Sequence, residues 1–79
     1  MASTDLVLTR REPIPSSDAE ALVISLHRPE QLNAISWEMV KAFDAAVSEG
    51  AADERVRVIL VTGVGRAFSA GGDLEMYRD

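Results

Sequence analysis

Val56-Arg57-Val58-Ile59-Leu60-Val61-Thr62-Gly63-Val64-Gly65-Arg66-Ala67-Phe68-Ser69-Ala70-Gly71-Gly72-Asp73 is the stretch on which the reading of this chain turns. Its first part is a β-branched apolar run without the polar alternation of a half-solvated strand, the pattern of a parallel strand covered on both faces. Its second part is a glycine-rich loop. Glycine adds no Cβ and tolerates positive φ, so such a loop can bring backbone N–H groups against a ligand oxygen.

Upstream of this strand lies an amphipathic helix. Ser36 is its N-cap, Glu38 suits the positive end of the helix dipole, and Gly50 is expected as its C′ stop. Met39, Val40, Phe43, Ala46 and Val47 make one apolar stripe that must pack on a sheet, while Glu38, Lys41, Asp44 and Glu49 take the other side. Ala51 to Arg55 reads as a connecting turn. Further upstream, Ala21 to Leu26 is an apolar run of strand length, and Leu6-Val7-Leu8 reads as a short strand. Between them Arg10 to Ser17 reads as a proline-broken connection across which the two strands return on one another. Pro29 keeps Arg28 out of helical φ/ψ and makes His27 to Gln31 a loop. The fold class is α/β, in the order β-β-α-β, then the glycine-rich loop and a helix start, with no internal repeat.

Composition narrows the function. The 79 residues amount to one unit at most, with 47 % hydrophobic and 27 % charged residues, as in a globular chain. A chain this short buries only about 60 % of its unfolded surface, so stability is marginal unless a partner covers the rest. A net charge of −5, with scattered basic residues, argues against nucleic acid as a partner. The absence of cysteine excludes disulfides and a thiolate nucleophile, and a single histidine argues against a metal cluster. Neither the N-terminal segment nor the apolar runs at Ala21 to Ile24 and Val58 to Val61 have the length of a signal or membrane segment, so no membrane association and a cytoplasmic location are expected.

The glycine loop fails several fingerprints. Gly63-Val64-Gly65-Arg66-Ala67-Phe68 places phenylalanine where a dinucleotide loop needs its third glycine, and no Gly-Lys-Ser/Thr ending of a Walker A loop is present. Ala67-Phe68-Ser69-Ala70-Gly71 lacks the first glycine of a nucleophile elbow, and no histidine follows, so Ser69 reads as a loop hydroxyl. Two readings remain: a turn in which glycine relieves strain, or a backbone site whose N–H groups stabilise an oxygen that gains charge during reaction. In the second, a bulky residue at position 70 or 72 would fill the ligand space. One such donor is worth roughly 2.7 to 4 kcal/mol in a transition state. Among the other polar residues, Asn33 reads as a structural partner of its own turn's backbone and Trp37 as a packing residue at an edge or interface.

His27-Arg28-Pro29-Glu30-Gln31-Leu32-Asn33-Ala34, the helix, Val58 to Gly63 and Ala67 to Leu74 together resemble the N-terminal part of the crotonase superfamily, the enoyl-CoA hydratase/isomerase group. The resemblance runs from about residue 6 onward. It implies a ββα spiral that binds acyl-coenzyme A thioesters as a homo-oligomer, a trimer or a dimer of trimers. It implies further that the Gly72 backbone N–H donates to the thioester carbonyl oxygen, and that Ala70 lines the pantetheine channel. Asp73 and Leu74 would stand at the pocket wall, with Gln31, Leu32 and Ala34 bordering the nucleotide part of coenzyme A. No permanently bound cofactor or metal is expected; coenzyme A enters as part of the substrate. His27, Arg28 and Arg66 invite comparison with phosphate binders, but a solvated or carboxylate-bonded loop pair is the commoner role, and no chemistry is assigned to them.

The family's general acid/base carboxylates and second oxyanion donor lie downstream of this loop. Residues 1–79 are therefore expected to be the N-terminal fragment of a single crotonase-like domain, inactive alone, with Glu75 on a solvated helix face. Two other classes stay open: a non-catalytic fragment that folds or binds only with partner chains, and a nucleotide-binding loop protein.

Overall fold

The computed structural model describes residues 5–73. Their order is β1 (Val7–Pro13), β2 (Glu20–Leu26), a 3-10 turn (Pro29–Gln31), α1 (Trp37–Ala51) and β3 (Val56–Gly63). This is the β-β-α-β order read from the sequence; the helix start after the glycine loop, Leu74 and Glu75 lie outside the described residues. β2 is the centre of a three-stranded sheet, antiparallel to β1 and parallel to β3.

Three features differ from the sequence reading. β1 runs on through Arg10, Arg11 and Glu12 to Pro13, so the connection shortens to residues 14–19. Charged residues are tolerated there because β1 is an edge strand with its side chains in water, and proline at its end gives up no interior ladder bond. Gly50 does not stop α1. The helix continues to Ala51 with Ala52 as C-cap, and buried Gly50 faces β2, where an added Cβ would lie 2.4 Å from Leu22 Cδ2. Its smallness serves packing. Third, β3 pairs in parallel as expected, but among the described residues its faces are only partly covered: Val58, Ile59, Leu60 and Val61 are all exposed, Leu60 by 52 %. Among the described residues β3 is an edge, and α1 spreads its contacts over all three strands.

The core forms where the helix stripe meets β2. Leu22, Ile24 and Ala46 are buried together, with Val7, Phe43, Val47 and Val56 packed around them. Ile24 is fully buried; removing a side chain of this size from water contributes roughly 1.5–3 kcal/mol. Met39 is buried as well, whereas Val40 of the same stripe stands partly in water. Ser36 caps α1 as the sequence indicates, its Oγ accepting the Met39 N–H at 3.2 Å.

For function, the parallel pairing of β2 and β3 matters most. Leu26 lies beside Gly63 in the register, so the two strands discharge their loops side by side at one end of the sheet. In open parallel arrangements that end is where ligands bind.

Candidate functional site

The loops after β2 (residues 27–35) and β3 (residues 64–73) are laced together from the base upward. Val64 N–H donates to Leu26 O at 2.9 Å, closing the strand ends. Above it sits Asn33, fully buried with φ +55°, a left-handed conformation that asparagine tolerates better than most residues. Its Oδ1 accepts the Arg28 N–H at 2.7 Å, and its Nδ2 donates to Val64 O at 3.0 Å and Ala67 O at 2.9 Å. Asn33 therefore bonds the backbone of its own turn, as the sequence indicates, and also bridges to the other loop. Gly63 is the other half of this joint: a Cβ there would lie 2.4 Å from Phe68 O and 2.6 Å from Ala67 O.

Higher up, consecutive amides of the glycine segment are taken one by one. Ala70 N–H donates to Leu32 O at 2.9 Å, and Gly71 N–H donates to Ser69 Oγ at 3.0 Å, while Ser69 O–H itself donates to Asn33 O at 2.9 Å. Ser69 is thus a loop hydroxyl. Gly71 adopts φ +98°, which favours glycine, and brings the chain alongside Ile35. Ile35 N–H donates to Gly71 O at 2.8 Å, and Asp73 N–H donates to Ile35 O at 2.7 Å, forming a parallel bridge between Ile35 and Gly72.

That bridge orients one group by elimination. The C=O and N–H of a trans peptide point in opposite directions. With Gly71 O held by Ile35 N–H, the Gly72 N–H of the same peptide faces away from the Ile35 segment. Of the four amides from Ala70 to Asp73 it alone has no acceptor among the described residues, and Gly72 is exposed. An outward N–H on a chain fixed from behind can donate to a ligand oxygen without rearrangement.

The other residues singled out from the sequence divide around this point. Gln31 and Leu32 lie on the exposed surface of the first loop, and Ala34 is half-buried with its carbonyl turned toward Arg28. Ala70 is exposed. Asp73 is held by Arg28 at 2.8 Å, so Arg28 is the carboxylate-bonded loop residue of the two readings given for it. His27 Nδ1 lies 2.7 Å from Asp5 O, and Arg66 is exposed. Trp37 is 60 % exposed. Leu74 lies outside the described residues. Ile35 was not singled out, although its backbone makes both bonds of the bridge; a lone isoleucine between loop and N-cap carries no motif that would mark it.

Beside the bridge is an apolar cavity of about 220 Å³ between sheet and helix, lined by Leu26, Ile35, Met39, Val61 and Phe68 among others. It offers no hydrogen-bond donor, so any polar recognition rests on the loops. At the opposite end of the sheet, Arg11 Nη1 bonds Glu20 at 2.8 Å and Asp53 at 3.0 Å. Hydrogen bonds from the Arg55 N–H and from Arg11 hold the Asp53 carboxyl below the usual carboxylate range, and the Asp53 and Glu20 bonds raise the Arg11 guanidinium. This cluster ties the strand ends together, far from the loops. Among the described residues no group of three or more His, Cys, Asp or Glu could hold a metal ion, and no helix is long and apolar enough to cross a membrane.

A family model described as enoyl-CoA hydratase/isomerase matches residues 21–79. The chain is 40 % identical over 68 residues to the 3-hydroxyisobutyryl-CoA hydrolase-like protein 5 of Arabidopsis thaliana, covering 84 % of this chain and 18 % of that protein. It is 37 % identical over 54 residues to the probable enoyl-CoA hydratase EchA12 of Mycobacterium tuberculosis, covering 68 % of this chain and 19 % of that one. Among solved structures, an enoyl-CoA hydratase from Thermoplasma volcanium superposes with a TM-score of 0.77 at 42 % identity, covering 94 % of this chain and 27 % of its own. The chain thus spans about a fifth of the length of the curated relatives it matches.

Proposed function

The chain belongs to the enoyl-CoA hydratase/isomerase family, and from that premise we propose that it is the part of an acyl-coenzyme A enzyme that polarises the thioester carbonyl through the Gly72 N–H. The observation that carries this reading is the elimination described above: the amides at 70, 71 and 73 are bonded within the loops, and the one at 72 faces outward. The relatives' names include a hydrolase-like protein and a hydratase, both for coenzyme A thioesters. Their reactions share one electronic demand. Hydration across a 2,3-double bond builds enolate charge on the thioester oxygen, and thioester hydrolysis builds charge on the same oxygen in a tetrahedral intermediate. A fixed N–H at that oxygen serves both, at roughly 10²- to 10³-fold in rate for one donor.

The substrate is an acyl-coenzyme A thioester, bound between the loops with the Gln31–Leu32 and Ala34 segment bordering its nucleotide part. Ala70 lines the pantetheine channel, and Asp73 and Leu74 stand at the pocket wall. Turnover also needs a positioned proton donor and acceptor. Asp73, the carboxylate next to Gly72, is engaged by Arg28, so the 79 residues alone are expected to bind without turning over. Assembly with further copies, in a soluble cytoplasmic enzyme, belongs to the same proposal.

Gly72→Val tests the reading. Its side chain would occupy the space before the amide, so binding of crotonyl-coenzyme A should be lost while the circular dichroism of the fold stays. Unchanged binding would sink the assignment. Measurable hydration of crotonyl-coenzyme A by the unaltered chain would overturn the expectation of inactivity. The exposed β3 face favours a second reading, a non-catalytic fragment that functions only with a partner chain; such a fragment would show no thioester affinity until the partner is added.

A further inference from the structure

We propose that Arg28 and Asp73 form a positioning couple that keeps the Gly71–Gly72 peptide in the orientation presenting the Gly72 N–H outward. In this role both act on the Gly72 amide through the backbone between them.

The need arises from two adjacent glycines. Glycine populates positive and negative φ about equally. Rotation about the flanking bonds of Gly71 and Gly72 could turn the peptide and put a carbonyl where the N–H should be. The Ile35 bridge opposes this with one hydrogen bond on each side of Gly72. Arg28 reinforces it from the side chains. Its Nη1 donates to Asp73 Oδ2 at 2.8 Å and to Ala34 O at 3.0 Å, so one nitrogen fastens the residue after Gly72 to the residue before Ile35. Both side chains are about four-fifths buried, at 21 % and 20 % exposure. Charges so placed interact far more strongly than a surface pair, and either one left alone is costly. Arg28 is itself fixed, because Pro29 restricts its backbone and Asn33 Oδ1 holds its N–H. The couple thus connects the end of β2 to the peptide whose two glycines allow it the widest choice of backbone conformations. Its geometry stands by itself; its chemical consequence rests on the reading of Gly72 given above.

Nuclear magnetic resonance of the 79-residue chain, with Arg28→Leu, Arg28→Lys and Asp73→Asn, separates the two. In the unaltered chain the Gly72 amide should have an order parameter near the rigid value of about 0.85. In Arg28→Leu and Asp73→Asn it should fall below about 0.6, with the amides of α1 and β2 unchanged, and Arg28→Lys should restore part of the rigidity. Bound crotonyl-coenzyme A supplies the second readout. Its thioester carbonyl stretch, lowered in the unaltered complex, should return toward the free value in both charge-removing variants. Affinity should fall about tenfold for the thioester and not for free coenzyme A. A Gly72 order parameter unchanged in a folded Arg28→Leu or Asp73→Asn chain would overturn the couple. A carbonyl stretch that does not shift even in the unaltered chain would overturn the Gly72 reading instead, and the order parameters would still decide the couple.

Discussion

The paired loops and the face of β3 handle their unpaired groups in opposite ways. In the loops, Asn33, Ser69, Arg28 and the Ile35 bridge bond the polar groups to one another, and of the amides from 70 to 73 only the Gly72 N–H has no acceptor among the described residues. In β3, Val58, Ile59, Leu60 and Val61 remain in water, and the strand's outer edge has no neighbour among the described residues. The other edge, β1, carries Arg10, Arg11 and Glu12, charges of the kind that discourage edge-to-edge pairing. Among the described residues the two loops therefore satisfy nearly all of their own backbone groups, while the apolar surface of β3 stays exposed. A ligand site can be organised by local hydrogen bonds before its hydrophobic surroundings are filled.

Removing the hub of the loops should break this contrast most severely. Asn33→Ala leaves Arg28 N–H, Val64 O and Ala67 O without their partner. At 1–3 kcal/mol per unsatisfied group the loss should be about 4 kcal/mol, read as a drop in the urea midpoint. Loss below about 1 kcal/mol would mean that the loops are held by something else. Gly63→Ala should cost somewhat less, roughly 1–3 kcal/mol, because its Cβ would meet backbone oxygens of Phe68 and Ala67 that cannot swing aside.

On the other side of the comparison, Leu60→Lys should change stability by no more than about 0.5 kcal/mol, since the side chain is already half in water. The same variant should reduce any concentration-dependent association seen by light scattering, because it places a charge on an unguarded edge. A large destabilisation would show that β3 is covered after all. The smallest effect concerns acid. Asp53 has a carboxyl pKa below its unfolded value of 3.8, so its stabilisation is fully present above that value and is lost as pH falls through the lower folded value. Asp53→Asn should flatten the stability profile below about pH 4 and leave the slope between pH 6 and 8 unchanged, as followed by thermal melts.

What was legible in the sequence depended on how far apart the cause and its effect lie along the chain. The Ser36 cap acts three residues away on Met39 and was readable. Pro29 acts on its neighbour Arg28 and was readable too. The length of β1 was not, because Arg10, Arg11 and Pro13 look like loop residues until β2 supplies their ladder. Gly50 looked like a helix stop because its actual reason, Leu22, is on another element. Asn33 reads from the sequence as a partner of its own turn's backbone, but its bonds to Val64 and Ala67 span 31 and 34 residues. Gly72 was marked by its motif, and the fold added the direction of its amide. The exposure of β3 could not be read from its apolar sequence, which states a preference for burial without saying what fulfils it.

Replacing the single amide in question is the most direct test of the central claim. A chain of 79 residues is within reach of chemical synthesis, and glycolic acid in place of Gly72 exchanges its N–H for an ester oxygen with almost no change of shape. Affinity for crotonyl-coenzyme A should fall about tenfold, the worth of one hydrogen bond, while affinity for free coenzyme A stays the same. Equal affinity of the amide and ester chains for the thioester would contradict the assignment of Gly72 as the donor.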